Sequence, residues 1–420
     1  MRYCISFAGA GERYEVAYRY MDMVSRTSVI QEALVDFFHP DTVFLLATAR
    51  SQKETVPGIR SRVACCTVVP IPDGKTTEEL WEIFRVISQL VQGGDTIIFD
   101  LTHGFRTLPF ISFLAVTYLQ EIRKAVVERV VYGAVSGDKK SADIIDVTGF
   151  TRILDWMMAV HSFLAYSEGR DLSSLLNDIQ REFHVYVVVQ SPKRLKGFGA
   201  MIENYSTAMQ LARPVDVSAM SREILEDLPG VAQEAAIFAP PLDSILGQVS
   251  VVQQFQTSQD AEISIELLEQ QLRMIRTLIG KNLILQAISL SREWIVNYSY
   301  LVSGLPERDW LEKKSRSSVE HALTYEAERR KKNPNPRIKP NEVTPIMELF
   351  PGIDALVKLW SKTSIKRNDL AHCGMNPDGR SMGSVHSDAE RVISDIEGFY
   401  RDNPPTFSNR SEGEYLNVMG

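Results

Sequence analysis

The segment RNDLAH, residues 367–372, holds three side-chain types that together could cleave RNA without a metal ion. A neutral imidazole such as that of His372 can accept the proton of a ribose 2′-hydroxyl. The guanidinium of Arg367 can stabilise charge on the phosphate, and Asn368 can orient the imidazole or the phosphate. Asn368 and His372 are four residues apart and would share one face of a helix. This chemistry predicts 2′,3′-cyclic phosphate and 5′-hydroxyl ends.

Arg367 lies five residues before His372, so on a helix the two side chains point in different directions. Arg367 would reach the same ligand only through its long side chain or from a second copy of the chain. Two such helices at a two-fold axis would place both Arg–His pairs around one cleft, so we expect a homodimer or higher homo-oligomer. The structural alternative is that Arg367 pairs with Asp369 or a neighbouring helix, and that His372 only interacts with the helix dipole.

A second polar segment, DLTHGFR at 100–106, follows an apolar run that we expect to be a strand. In open α/β sheets the ligand crevice lies beyond the carboxyl ends of the strands, and the next helix offers free amides to phosphate. Asp100 is expected to brace the loop. The expected ligand contacts are Thr102, His103, Gly104 and Arg106. The alternative is an ordinary capped strand–helix turn.

The loop FAGAGERY after the first apolar run is rich in small residues, as expected where backbone approaches a ligand closely. We expect Gly9, Ala10 and Gly11 to line the same crevice.

The first 150 residues alternate apolar, β-branched runs with amphipathic segments. This alternation predicts a Rossmann-like α/β domain, with a parallel sheet and helices on its faces. Thr76 and Thr77 are expected to cap one crossover helix, and Gly93 to stop it. The expected strands are 2–7, 42–48, 62–70, 95–101 and 129–136.

Helical periodicity dominates the rest of the chain. Residues 191–250, with several prolines and glycines, predict short helices and their connections. Further on, separate helices are expected at 343–360 and in TSIKRNDLAHCG, where Gly374 would end the penultimate helix of a small bundle. We therefore expect three parts: an α/β domain at 1–150, an all-α linker at 151–275 and an α-helical bundle at 276–420.

Composition narrows the function classes. A net charge of -7 argues against nonspecific coating of nucleic acid, so any RNA contact needs a local basic groove. ERRKKNPNPRIKP at 328–340 is either an RNA-facing flap or a solvated helix end. The four cysteines lack metal-ligand spacing and are expected to be reduced core residues. No apolar run has membrane-spanning length, so we expect a cytoplasmic protein without membrane contact.

The string DLTHGFR matches the motif that names the CRISPR-associated DxTHG family, and the chain resembles that family. RNDLAHCG resembles the HEPN ribonuclease signature, which is R, a polar residue, three others, then H, and SREWIV at 291–296 resembles an earlier core helix of that family. The resemblance is thin between about 170 and 260. It implies a CARF sensor domain at 1–150 and a HEPN ribonuclease domain at 276–420.

The resemblance implies that cyclic tetra- or hexa-adenylate binds across paired CARF domains and activates cleavage of single-stranded RNA in type III CRISPR defence. It implies ligand contacts from Gly9, Ala10, Gly11, Thr102, His103, Gly104 and Arg106, and catalysis by Arg367, Asn368 and His372. Catalysis would need no cofactor and no metal. If this chain also cleaves its ligand slowly, as some relatives do, Thr102 or His103 would be candidates.

Two other functions stay open from the sequence. One is a HEPN toxin-like ribonuclease controlled by another nucleotide or by a protein inhibitor. The other is a nucleotide-binding regulator with a non-catalytic bundle.

Overall fold

The computed structural model of the chain describes residues 1–9, 14–103, 108–137, 139–185, 193–236, 241–257, 262–331, 337–373, 375 and 382–405. The chain divides into two compact units, Met1–Asp155 and Trp156–Gly420. The first unit is α/β and the second is mostly helical, which confirms the predicted order of an α/β domain and a helical region. A further division of the helical region at residue 275 stays a prediction.

One eight-stranded sheet forms the centre of the first unit. Its strands are β1 (Arg2–Phe7), β2 (Val16–Tyr20), β3 (Met23–Thr27), β4 (Thr42–Ala47), β5 (Cys66–Pro70), β6 (Thr96–Asp100), β7 (Val126–Val135) and β8 (Ser141–Asp146). The order across the sheet is β3-β2-β8-β7-β6-β1-β4-β5. The run β5-β4-β1-β6-β7 is parallel, as predicted, whereas β7–β8 and β2–β3 pair antiparallel.

The β2–β3 hairpin is absent from the predicted strands. Its outward-facing positions include Arg19 and Arg26, which are exposed, while Tyr18 and Ser25 on the other face are buried. Antiparallel strands with one solvated face carry polar residues at alternate positions. The hairpin therefore lacks the continuous apolar run from which the other strands were predicted.

Helices cover both faces of this sheet: α1 (Ile30–Phe38), α2 (Ala49–Glu54), α3 (Val56–Arg60), α4 (Thr77–Ser88), α5 (Leu108–Glu121) and the first turns of α6 (Thr148–Tyr166). One apolar core includes Leu34 of α1, and a second includes Ile83 of α4. The Thr76 side chain accepts a hydrogen bond from the Glu79 amide at 3.2 Å, so the cap predicted at Thr76 is confirmed, whereas Thr77 is the first residue of the helix itself. The helix ends at Ser88 and not at Gly93, and the Gln89 amide bonds to the Val86 carbonyl three residues back, in a tighter turn than that of an α-helix.

The order of the strands identifies where a ligand crevice would open. After β1 the chain forms the β2–β3 hairpin at one edge of the sheet and then crosses to β4 and β5 on the other side of β1. The connection that contains α4 then returns the chain to β6, next to β1. The neighbouring carboxyl ends of β1 and β6 therefore lie at the point where the strand order reverses, where open α/β sheets bind ligands.

The described residues of the second unit form helices and the connections between them. It contains most of α6, then α7 (Arg170–Val185), α8 (Leu195–Gln210), α9 (Pro214–Ala236), α10 (Pro241–Gly247), a 3-10 helix (Gln248–Phe255), α11 (Ile265–Gly280), α12 (Ile284–Val302), α13 (Lys313–Arg329), α14 (Thr344–Glu348), α15 (Ile353–Ala371) and α16 (Met382–Asp402). None of the described helices is long and apolar enough to cross a membrane.

Two predictions about helix lengths are wrong. The segment 191–250 contains the long helices α8 and α9, and α9 continues through Pro229 because buried Leu228 and Val231 keep its apolar face in the core. The two helices expected at 343–360 and in TSIKRNDLAHCG overlap a single helix, α15, with buried Trp360 and Thr363 on either side of the expected break.

A single apolar core extends through the second unit, from Trp156 in α6 to Phe399 in α16. Trp294 of SREWIV is fully buried in this core. Its indole nitrogen donates to the Leu268 carbonyl at 3.0 Å, and its ring stacks on Tyr298 with 5.3 Å between centroids. Trp294 therefore has a packing role, as expected.

Candidate functional site

The structure places Arg367, Asn368 and His372 together at the carboxyl end of α15. Arg367 is half-buried, whereas Asn368 and His372 are exposed. The Arg367 Nη1 atom donates to Asn368 Oδ1 at 3.0 Å, and the His372 amide donates to the Asn368 carbonyl at 3.0 Å. The i, i+4 relation expected for Asn368 and His372 is thus present, and the guanidinium, amide and imidazole groups are available at one helix end.

The turn after His372 differs from the expected glycine stop. His372 is the residue that caps α15, and Cys373 adopts the left-handed conformation with φ 56°. The Cys373 amide bonds to the Leu370 carbonyl at 3.0 Å, which satisfies one of the free carbonyls of the last turn. The reversal of the chain therefore begins at Cys373, and Gly374 lies outside the described residues.

The basic segment 328–340 has two arginines directly after its first residue, and both pair with acidic residues of the helical unit. Arg329 contacts buried Glu326 at 3.0 Å and Glu348 at 2.9 Å. Arg330 also pairs with Glu326, and its Nε is 2.6 Å from Asp354 Oδ1. These ion pairs favour a structural role at the helix end for both arginines over a role in binding RNA. Residues 332–336 lie outside the described residues.

At the sheet, buried Asp100 is the centre of a hydrogen-bond relay at the ends of β1 and β6. Ser6 Oγ donates to Asp100 Oδ2 at 2.7 Å, and Gln31 Nε2 of α1 donates to Ser6 Oγ at 2.8 Å. The other carboxylate oxygen accepts from the Thr102 amide at 2.9 Å and from its hydroxyl at 2.5 Å. Asp100 therefore braces the loop, as expected.

Thr102 uses its only hydroxyl proton within this relay. Its Oγ1 donates to Asp100 and accepts from the Gly133 amide of β7 at 2.7 Å. While these bonds hold, Thr102 can accept a hydrogen bond from a ligand but cannot donate one. Its main effect is to fix the start of the loop.

Gly9 and His103 lie against each other at the end of the two strands. A Cβ atom added at Gly9 would stand 2.8 Å from His103 Cγ and 3.0 Å from Nδ1, so only glycine permits this approach. Two of the predicted ligand-binding residues are therefore neighbours at the point where the strand order reverses. The predicted contacts Ala10, Gly11, Gly104 and Arg106 lie outside the described residues.

Sequence reasoning missed Ser6, Gln31 and Gly133 in this arrangement. A Cβ atom at Gly133 would stand 3.1 Å from Thr102 Oγ1 and 2.8 Å from Ile30 Cδ1. A glycine inside a β-branched run is a signal for such close approach. The polar residues Ser6 and Gln31 at buried positions gave a weaker signal, because their partners are distant in sequence.

The cysteines near these sites differ in burial. Burial raises the pKa of the Cys4 thiol well above its ordinary value, with a further contribution from the negative charge of Asp100. Cys4 is therefore a protonated core residue, as expected, and Cys65 and Cys66 are partly buried. The expectation is wrong for Cys373, which is exposed because it follows the end of α15.

The chain is similar to known proteins in the region between its two sequence motifs, where the family resemblance was weakest. Residues 152–262, from α6 to the segment before α11, match the family described as CRISPR-associated protein MJ1674, second domain. The CRISPR-associated protein MJ1674 of Methanocaldococcus jannaschii is 25% identical over 114 residues, which are 26% of this chain and 18% of that protein. The chain thus aligns with less than a fifth of that relative. Both matches support a CRISPR association.

Proposed function

We propose that the chain is a cyclic oligoadenylate-activated, metal-independent endoribonuclease that cleaves single-stranded RNA in type III CRISPR defence. The observation that carries the proposal is the position of half-buried Arg367 and exposed Asn368 and His372 at the end of α15, where the Arg367 side chain donates a hydrogen bond to that of Asn368. The match of residues 152–262 to a CRISPR-associated family supports the biological setting.

The proposed reaction uses the ribose of the substrate as nucleophile. His372 accepts the 2′-hydroxyl proton, and the 2′-oxygen attacks the adjacent phosphorus. Arg367 stabilises the added negative charge, while Asn368 orients Arg367 or the phosphate. The bond between phosphorus and the 5′-oxygen breaks, and the 5′-oxygen takes a proton from solvent water, so the products are a 2′,3′-cyclic phosphate and a 5′-hydroxyl. Two copies of the chain would each supply one Arg–Asn–His set, as expected for a HEPN pair.

The proposed activator site is the crevice beyond β1 and β6, in a CARF domain. There Gly9 and His103 are in contact, and Asp100 and Thr102 fix the backbone between strand and loop. Cyclic tetra- or hexa-adenylate must bind more tightly to the arrangement of the dimer that cleaves RNA, because only such a difference in affinity can shift the equilibrium.

A fluorogenic RNA assay in EDTA tests both parts of this proposal. Wild type should cleave only with cyclic tetra- or hexa-adenylate, and His372→Ala should lower the rate by a factor of about 100 or more. His161→Ala changes an exposed histidine of α6 and should keep the wild-type rate. RNA with deoxyribose at the cleaved nucleotide should resist, since the nucleophile is missing.

Other outcomes favour the alternatives. Cleavage independent of cyclic oligoadenylate would indicate a toxin-like ribonuclease with different control. No cleavage by wild type under any of these conditions, together with tight ligand binding, would indicate a non-catalytic regulator. Undiminished cleavage by His372→Ala would remove the catalytic assignment.

A further inference from the structure

The residue immediately before Arg367 is a buried lysine. The side chain of Lys366 is 7% exposed, and its Nζ lies 2.6 Å from Oδ1 of Asp388 in α16, whose side chain is 13% exposed. Lysine is almost never fully buried unless it is paired, and an ion pair at low exposure is screened little by water. Arg391 lies at the edge of this pair, 3.9 Å from the same oxygen.

The surroundings of this pair indicate packing and not a ligand site. Ile288 of α12, Leu370 of α15, and Val385 and Ala389 of α16 line the crevice next to it, together with Asp369. The cavity volume of this crevice is about 10 Å³, which is room for one water molecule at most. The lysine and the aspartate therefore face each other in a largely apolar contact between α12, α15 and α16.

The ion pair lies behind the Arg–Asn–His set. At about 100° per residue, Lys366 and Leu370 point away from the side of α15 that carries Asn368 and His372. The last turn of a helix frays unless other contacts hold it. Lys366 lies in the turn before the last one, and its contact with Asp388 and the neighbouring Leu370 are on the face opposite the exposed Asn368 and His372.

We propose that Lys366 and Asp388 are positioning residues: their ion pair fixes the carboxyl end of α15 on α16 and so sets the place of Arg367, Asn368 and His372. This inference rests on the proposed ribonuclease function. Displacement of reacting groups by about 1 Å can lower a rate by a factor of about 100, so a fixed helix end has a direct effect on catalysis.

A second ion pair between the same helices provides the control. Lys362 pairs with Asp395 one turn further from the site, and these side chains are 35% and 38% exposed. Replacement of each pair by apolar residues, Lys366→Met/Asp388→Leu and Lys362→Met/Asp395→Leu, avoids leaving a lone buried charge. Such replacements usually preserve the fold. Thermal melting of both full-length variants verifies this.

The test combines hydrogen exchange with steady-state cleavage of the RNA substrate. In Lys366→Met/Asp388→Leu we expect amide exchange over 366–373 to accelerate by about tenfold, kcat to fall by about 10- to 100-fold, and KM to stay within about threefold. Lys362→Met/Asp395→Leu should change each value by less than about twofold. Lys366→Arg preserves the ion pair and should retain most of kcat.

Three results separate the hypotheses. The positioning role alone would be overturned if the folded variant Lys366→Met/Asp388→Leu showed unchanged amide exchange and unchanged kcat. This conclusion requires that wild type cleaves the RNA and that the cleavage depends on His372. Equal losses in both double variants would also overturn it, because the effect would then be general loosening of α15 on α16. Absence of cleavage by wild type would instead overturn the ribonuclease and, with it, the catalytic part of this inference.

Discussion

Asp100 holds Thr102 through a single carboxylate oxygen, which accepts the Thr102 amide at 2.9 Å and the Thr102 hydroxyl at 2.5 Å. The second oxygen accepts from Ser6 of the neighbouring strand. Asp100 is fully buried, so water cannot replace these partners. The start of the DLTHGFR loop is therefore fixed by the sheet before any ligand binds.

Asp100→Asn should destabilise the protein by about 1–3 kcal/mol, because the amide nitrogen would face a hydrogen-bond donor from Ser6 or Thr102. Urea unfolding measured by circular dichroism tests this. Asp143→Asn, at an exposed position of β8, is the control and should change the free energy of unfolding by less than about 0.5 kcal/mol. Equal effects of the two substitutions would contradict the structural role of Asp100.

Gly9→Ala should weaken binding of cyclic oligoadenylate by about tenfold or more, equivalent to about 1.4 kcal/mol. The added Cβ would meet His103 Cγ at 2.8 Å and must displace the imidazole. Gly137→Ala is the matched control, since no heavy atom lies within 4 Å of its Cβ position. Isothermal titration with cyclic tetra- and hexa-adenylate measures both, and wild-type affinity in Gly9→Ala would exclude a contact between the ligand and His103.

Gly169→Ala should destabilise the helical unit by about 1–3 kcal/mol through overpacking. Its Cβ would lie 2.5 Å from Ser206 Oγ and 2.9 Å from the Ile202 carbonyl oxygen of α8. Gly197→Ala, within α8 and with nothing inside 4 Å, should be neutral or stabilising by up to about 1 kcal/mol. Unfolding in guanidinium should therefore show changes in the free energy of unfolding that differ in sign or greatly in size between the two variants. Similar stabilities of the two variants would refute the close packing at Gly169.

Glu168→Gln should show a loss of stability that depends on pH. Hydrogen bonds from the Arg170 side chain, and less strongly from its backbone amide, lower the pKa of Glu168 to about 2. A lowered carboxyl pKa stabilises the fold above the ordinary value of 4.5, and this stabilisation disappears as the pH falls towards 2. The loss at pH 7 should be below about 1 kcal/mol, because solvent screens this partly exposed pair.

The free energy of unfolding of wild type and of Glu168→Gln should be measured at pH 7, 4 and 2.5, and the difference between the two proteins compared across these pH values. It should be largest at pH 7 and shrink through the two acidic points. Glu223→Gln, at an exposed position of α9, should stay within about 0.5 kcal/mol of wild type. A difference that is constant with pH would show that the ionised carboxylate of Glu168 is not the source.

The sequence predicted those features of the structure that depend only on residues close together in the chain. The parallel strands were visible as β-branched runs, and the Thr76 cap as a threonine before an apolar helical repeat. Asn368 and His372 could be assigned to one helix because their spacing is a property of a single element. These features need no knowledge of which elements pack together.

The features that escaped prediction arise from contacts between distant residues. The partner of Asp100 across the sheet, Ser6, is 94 residues away, and the burial of Lys366 depends on Asp388 in the following helix. The continuation of α9 through Pro229 depends on the core that its apolar face joins. Residue preferences alone predict that Asp100 and Lys366 are exposed and that Pro229 ends a helix, which is the opposite of what the structure shows.

The shared core of the helical unit limits how this protein can exchange parts with its relatives by recombination. The family match ends at residue 262, but Gln270 of α11 donates to the carbonyls of Pro214 and Phe255, at 3.1 and 3.3 Å, within the matched segment. A crossover at residue 262 would therefore separate halves of one hydrophobic core. A junction at or before Asp155 would keep this core together, so the segment from Trp156 in α6 to the end of α16 should be inherited as one block.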